Sequence, residues 1–234
     1  MHEHKCFVTL TYDEKHLPET GGLHKPDLQK FFKRRRHTMG AFRYYACGEY
    51  GERTERPHYH ACIFGRDFTD KIHFRTIDGN HLYTSQKLNE IWGLGENNTI
   101  GSLTFESAAY TARYAMKKLS KGQSRYVRLD NDTGELIPLV QPFAVMSLRS
   151  AIAKQWLTAY YGDIYAGNKD YLYMRGKKMK PPKYYDTLYH AINPDAMKEI
   201  KKQREEKAEK ETEQQLRARE TITHARTTIG KTQI

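Results

Sequence analysis

No stretch of the 234-residue chain approaches the roughly 18 consecutive apolar residues that a membrane-spanning helix requires. The opening Met-His-Glu-His-Lys likewise has no apolar run of the kind that directs secretion, so the expectation is an aqueous intracellular setting without a membrane partner. Cysteine is scarce and odd in number. Cys6, Cys47 and Cys62 are too few for a disulfide scaffold and sit in apolar, strand-like runs, which points to reduced, buried thiols in a reducing compartment. No segment of about 20 to 50 residues repeats, so a solenoid or propeller is excluded. With 38% apolar residues and 12% aromatics, the chain can fill one substantial core or one core plus an appendage.

Acidic residues are missing from three stretches that are dense in bases. These are Lys33-Arg34-Arg35-Arg36, then Arg113 to Arg128 with six bases, then Arg175 to Lys183 with five. The segment from Asp195 to Glu220 holds eight acids and eight bases, so nearly all of the formal charge of +11 lies ahead of it. Such a distribution suits a polyanion better than a small metabolite, the alternative being a solvated surface of scattered lysines.

Cys6 to Tyr12, Phe42 to Glu49 and His58 to Phe64 are rich in β-branched and aromatic residues and read as strands. A helix opens at His24-Lys25-Pro26-Asp27, with Leu28, Phe31 and Phe32 at helical spacing. Residues 65–83 are polar and poorly patterned. Ser85 can cap a short helix to Trp92, Gly101 to Phe105 looks like a short strand, and Ser107 to Leu119 is a helix candidate. Asn131 to Gly134 is a turn between two short apolar segments, and Leu148 to Tyr161 reads as a helix with Ile152, Trp156 and Tyr160 on one face. Beyond Pro181-Pro182 the pattern fades. The expectation is one α+β domain with an antiparallel-leaning sheet over residues 1–194, followed by a charged helical or disordered tail, 195–234, with no apolar stripe to dock.

His58-Tyr59-His60 falls in a strand, so both imidazoles share one face and can bind one ion. Eleven histidines make about half an H-x-H expected by chance, and the motif alone is weak. Glu49 ends the preceding strand, where a hairpin can carry its carboxylate toward the two rings. Two His and a carboxylate form a metal set that leaves positions open for substrate. Cys47 and Cys62 share the phase of these residues and are thiolate ligands or, more simply, buried filler. Asp13 and Glu14 are spare carboxylates, equally explicable as turn residues.

The second feature is Tyr110-Thr-Ala-Arg-Tyr114-Ala-Met-Lys117-Lys118. On a helix with Tyr110 at zero, Tyr114 lies at about 40°, Lys117 at about −20° and Lys118 at about 80°, while Ala108, Ala112, Ala115 and Leu119 fall at about 140° to 200°. The tyrosines therefore share a face with lysines and lie opposite the apolar stripe. Other tyrosine pairs at the same spacing compete less well. Gly162 interrupts Tyr161 to Tyr165, and Tyr185 to Tyr189 follows a Pro-Pro pair. A divalent ion at Glu49, His58 and His60 would polarise a phosphate while a tyrosine attacks it, with lysines favouring the phenolate.

Phe7-Val-Thr-Leu-Thr-Tyr12, Pro57-His-Tyr-His60 and Tyr110-x-x-x-Tyr114 with Lys117-Lys118 resemble the three ordered motifs of the HUH endonucleases that initiate rolling-circle replication. Ala46-Cys-Gly-Glu-Tyr-Gly51, Arg56-Pro-His-Tyr-His60 and the run from Thr104 to Lys118 are similar to the replication initiators of gokushoviruses, small single-stranded DNA phages of the microvirus family. That resemblance implies a ferredoxin- or RRM-like antiparallel sheet of about five strands with flanking helices. It also implies Mg²⁺ or Mn²⁺ on Glu49, His58 and His60, and Tyr110 and Tyr114 as nucleophiles supported by Lys117 and Lys118. The implied partners are a single-stranded DNA origin and a host helicase and polymerase, in the cytoplasm of a bacterial host. Two rivals remain from the residues themselves: a non-enzymatic single-strand binder and a phosphodiesterase using metal-bound water.

Overall fold

The computed structural model describes residues 2–51, 53–117, 126–130, 133–149, 151–208 and 212–229. The chain packs as two compact units, Met1–Lys154 and Gln155–Ile234.

The strands of the first unit are β1 (Lys5–Thr11), β2 (Arg43–Tyr50), β3 (Pro57–Phe64), β4 (Ile72–Ile77), β5 (Asn80–Thr84), β6 (Thr99–Gly101), β7 (Val127–Leu129), β8 (Leu136–Pro138) and β9 (Phe143–Met146). Seven of them form one sheet in the order β4-β5-β6-β1-β3-β2-β9, with every pairing antiparallel. The short hairpin of β7 and β8 stands apart from that sheet. The antiparallel α+β class agrees with the sequence. The sheet is wider than about five strands, because the 65–83 segment forms the β4-β5 hairpin and β9 adds the opposite edge.

Alternation along the central strands sorts residues onto two faces. Val8 and Leu10 of β1, Ala46 of β2 and Tyr59, Ala61 and Ile63 of β3 point into a core closed by two helices, α1 (Lys25–Met39) and α2 (Gln86–Trp92). Leu28, Phe31 and Phe32 come from α1; Leu88, Ile91 and Trp92 come from α2. Pro26 in the first turn and Gly40 after the last bound α1, and the Ser85 hydroxyl accepts the Leu88 N–H at 3.0 Å to cap α2. The opposite face carries Phe7 and Thr9, Cys47 and Glu49, and His58, His60 and Cys62, and is met by α3 (Phe105–Lys117). All three cysteines are buried and none is in a disulfide.

Lys33 to Arg36 turns out to be mostly structural. Arg34 donates to the Ile91 and Trp92 carbonyls at the end of α2 (2.6 and 2.5 Å), where a cation offsets the helix dipole. Arg35 is fully buried, its guanidinium 4.7 and 4.6 Å from the Phe42 and Phe68 rings. Arg36 lies over Phe42 and Tyr44. Only Lys33 of the four is left facing solvent without such an engagement among the described contacts.

The second unit consists of α4 (Lys154–Tyr165), the hairpin of β10 (Leu172–Met174) and β11 (Lys177–Met179), α5 (Lys183–Ile192), α6 (Pro194–Glu206) and α7 (Glu213–Ile229). Helix α4 runs through Gly162, with its departure from helical geometry at Tyr160 instead. Tyr165 and Tyr189 stack at 4.2 Å in a small core with Leu157, Ile164, Met197 and Ile200. The expectation of a tail without an apolar stripe is therefore corrected for α6. Asn193 caps it through the Ala196 N–H, Pro194 starts it, and Met197 and Ile200, one turn apart, are buried. Among the described residues no helix is long and apolar enough to cross a membrane.

A chain ending at residue 193 is expected to lose the fold of the second unit, whereas one ending after residue 207 keeps it. Removing Met197 and Ile200 from a core costs roughly 4 kcal/mol or more by analogy with large-to-small substitutions, and Arg204 goes with them. Thermal melts followed by circular dichroism check this; equal melting of the two truncations would contradict it.

Candidate functional site

Strand pairing fixes the site. His58 is directly opposite Glu49 on β2 and Thr11 on β1, while His60 is opposite Cys47 and Thr9. Tyr59 between them is locked on the other face, its hydroxyl 2.9 Å from that of Tyr12 and accepting the His24 N–H at 2.8 Å. Burial and the Tyr12 contact push the Tyr59 phenol up to about 12, so it stays neutral and structural. Two glycines make room. A side chain at Gly48 would crowd Leu23 and the Tyr59 ring at about 3 Å, and one at Gly95 would meet the Thr11 carbonyl at 2.3 Å, where the loop after α2 closes on the end of β1.

The ring nitrogens are oriented from behind. His58 Nδ1 donates to the Arg56 carbonyl at 3.2 Å, and His60 Nδ1 lies 3.0 Å from the Thr9 hydroxyl. Their Nε2 atoms converge on the same oxygen, Glu49 Oε1, at 2.8 and 2.9 Å. The Tyr110 hydroxyl donates to that oxygen as well, at 3.0 Å. Phe7 stacks on the His60 ring at 5.3 Å and Tyr110 meets it edge-on at 5.3 Å, so the imidazole is held on both sides. Glu49 is 2% exposed and His60 8%, with His58 half-buried. Burial pulls the His60 pKa below its ordinary value despite the neighbouring carboxylate, which keeps its nitrogen lone pair available.

This donor set fits a divalent cation. The ligand atoms of Glu49, His58 and His60 lie within 4.8 Å of one another. With its Nδ1 proton spent on Arg56, a neutral His58 turns an Nε2 lone pair toward carboxylate lone pairs; a cation between them turns that repulsion into two ligand bonds. The set of imidazoles and carboxylate suits several divalent ions.

The remaining sequence candidates divide. Tyr110 is brought into the site. Tyr114 and Lys117 lie further along α3, but their side chains, and all of Lys118, lie outside the described residues. The alanine stripe was expected to pack on the sheet; instead Tyr110 and Thr111 face it and Ala112 is exposed. The reason is that this sheet face is itself polar, and the Thr111 hydroxyl lies 3.6 Å from Cys62 Sγ. Cys62 is pushed up by burial, and neither it nor Cys47 belongs to the three-residue cluster. Glu14 pairs with Arg56, and Asp13 accepts the Glu96 N–H at 3.3 Å, so both carboxylates serve the turn. The alternative tyrosine pairs lie in the second unit, with Tyr165 and Tyr189 buried in its core. Sequence reasoning passed over Thr9 and Arg56. The β1 alternation was the available signal for Thr9, since it shares a face with Phe7 and the histidines.

The family model for replication-associated proteins of the ORF2 type matches residues 5–121 and so contains β1, the whole Glu49, His58 and His60 cluster, and α3. The chain belongs to this family. It is 32% identical over 206 residues to replication-associated protein VP4 of Bdellovibrio phage phiMH2K, covering 83% of this chain and 61% of that protein. It is 40% identical over 131 residues to replication-associated protein ORF2 of Spiroplasma virus 4, and 30% identical over 131 residues to replication-associated protein ORF4 of Chlamydia phage 1. These alignments cover 50% and 52% of this chain and 39% and 32% of the relatives, so the chain spans less than two thirds of each. No solved structure matches it. For a member of a replication-associated family, the cluster is consistent with nuclease-type chemistry.

Replacing Thr9 by Val removes the hydroxyl behind His60 while keeping the β-branched shape, and is expected to weaken divalent-ion binding by about 10- to 100-fold. Isothermal titration with Mn²⁺ measures this. Unchanged affinity would show that the Phe7 and Tyr110 rings orient the imidazole on their own.

Proposed function

We propose that this chain is a gokushovirus-type HUH replication initiator that nicks a single-stranded DNA origin through a tyrosine and rejoins strands in rolling-circle replication. The observation that carries this reading is the Tyr110 hydroxyl on the carboxylate that also faces His58 and His60, 3.0 Å away. Glu49, His58 and His60 would hold Mg²⁺ or Mn²⁺, which supplies charge neutralisation at the scissile phosphate. Tyr110 donates its hydroxyl proton toward Glu49 Oε1, the atom placed to receive it as the phenol oxygen attacks phosphorus. The bond to the 3′ oxygen breaks, that oxygen takes a proton from water, and the 5′ phosphate remains esterified to tyrosine. Reversal by a free 3′ hydroxyl rejoins the strand without an external energy source. The helix spacing puts Tyr114 one turn beyond Tyr110, and Lys117 and Lys118 would favour the phenolate. In this reading residues 1–194 hold the endonuclease, a host helicase and polymerase extend the freed end, and the setting is a bacterial cytoplasm.

The test is to incubate the protein with end-labelled single-stranded origin DNA and Mg²⁺ or Mn²⁺ and separate the products under denaturing conditions. Label retained on the protein supports the reading. Cleavage with no retained label would indicate a phosphodiesterase using water, and binding without cleavage a single-strand binder.

A further inference from the structure

The three base-only runs meet different fates in the fold. The first is largely used to cap α2 and to cover phenylalanines. Most of the second lies outside the described residues. The third, Arg175 to Lys183, is laid out on the β10-β11 hairpin and the start of α5, where all five of its bases are exposed.

Several features of this hairpin point to one kind of ligand. Leu172 pairs with Met179, Tyr173 with Lys178 and Met174 with Lys177. Leu172 packs against the core of the second unit, so Tyr173 and Lys178 occupy the opposite face. Tyr173 is 68% exposed, far more than its ring would be if it served the core. Tyr171 meets it edge-on at 5.5 Å, and Lys178 Nζ sits 3.8 Å above the Tyr171 ring, making an aromatic and cationic surface. The nearest acids do not oppose it: Asp170 and Asp186 are both bonded by Arg204, at 2.6 and 2.7 Å. The hairpin turn is the last feature. Arg175 and Gly176 both have positive φ, 53° and 75°, as a two-residue type I′ turn requires. The other hairpin of this kind, between β4 and β5, fills the first position with Asp78, a residue that tolerates this conformation. An arginine there is disfavoured by the backbone and puts a guanidinium at the tip.

We propose that the β10-β11 hairpin is a second single-stranded DNA contact, with Arg175, Lys177 and Lys178 on phosphates and Tyr173 stacked under a base. This rests on the proposed function only in taking DNA as the polyanion. Stacking favours an unpaired strand, because a duplex hides its base faces. The hairpin would hold the strand independently of Glu49, His58 and His60, giving the chain a grip on DNA that needs no metal ion.

The test uses the full chain, a fluorescein-labelled 30-nucleotide single strand of mixed sequence, EDTA, and anisotropy across a salt series. The triple variant Arg175→Asn, Lys177→Gln, Lys178→Gln is the informative one, since Asn-Gly is the preferred type I′ pair and the variant should melt no lower than the parent. Its affinity is expected to fall at least about tenfold at low salt, and the slope of log K against log salt to shrink by about 2, at about 0.7 per lost phosphate contact. Tyr173→Ala is expected to weaken single-strand binding about tenfold with the slope unchanged, and to leave duplex binding alone. Unchanged affinity and slope in the triple variant would overturn the proposal, as would equal losses on single strand and duplex with Tyr173→Ala. Because the assay contains no metal and no origin, such a failure leaves the nicking reading standing; loss of metal-dependent nicking by the parent chain would instead remove that reading and leave the hairpin result intact.

Discussion

Changing Tyr110 and Tyr114 together to Phe is expected to abolish the covalent protein–DNA product, a loss on the order of a thousandfold or more, as for removal of other nucleophiles. Rings and helix are kept, so single-strand binding and the melting temperature should stay close to the parent's. The single variants separate the roles. Starting a rolling circle takes one cleavage and releasing a unit-length circle takes a second, so an enzyme still joined to the first 5′ end needs another nucleophile. Tyr110 and Tyr114 are four residues apart on α3, about 6 Å along the helix axis. Each single variant should therefore cut a short oligonucleotide once and fail in successive rounds. Tyr110→Phe should show the larger first-round loss, because the Tyr110 hydroxyl is the one bonded to Glu49. Covalent product from the double variant would move the nucleophile elsewhere, and full proficiency of Tyr110→Phe through many rounds would make Tyr114 the sole nucleophile.

The metal cluster was legible because strand chemistry has a period of two. His58 and His60 had to share a face, and an eight-residue strand ending at Glu49 and Tyr50 had to bring the carboxylate to that face once β2 paired with β3. The capped helix α2 was equally plain, since Ser85 and the Leu88, Ile91 and Trp92 spacing are local signals. The β4-β5 hairpin was less visible. Every residue of β4 is exposed, so it has no buried face and no alternation, and its one clear mark was Asp78-Gly79 at the turn. The strand expected at Gly101 to Phe105 is centred two to three residues earlier, at Thr99–Gly101, with Phe105 opening α3.

Helix α3 shows why hydrophobic phase misled. A moment assigns the apolar side to the core on the assumption that the covered surface is apolar. Here the covered surface is a functional one, lined by Glu49, His60 and Cys62, so Tyr110 and Thr111 turn inward and Ala112 turns out. The separation of the tyrosines from the alanine stripe was a true feature of the sequence; its structural meaning was the reverse of burial in a hydrophobic core. In α6 the opposite happened, because two apolar residues among many charges sufficed to dock it.

His58→Ala with His60→Ala is expected to remove metal-dependent cleavage, at least about a thousandfold, given that a single electrostatic partner of a transition state is commonly worth a hundredfold or more. The two imidazoles are the only neutral nitrogen donors among the described residues of the cluster, and Glu49 alone cannot complete a site. Single-strand binding should persist, since His58 and His60 contribute little to the surplus of positive charge. A linked measurement separates loss of metal from loss of fold. A cation that binds only the folded chain raises its stability by about 2.7 kcal/mol at a hundred times its dissociation constant, so saturating Mn²⁺ should lift the parent's melting temperature by several degrees and leave the double variant's unmoved. If the double variant instead cleaves DNA at the parent's rate, the ion that serves the reaction is held by other residues, and the convergence of His58, His60 and Tyr110 on Glu49 is a structural network of the sheet face.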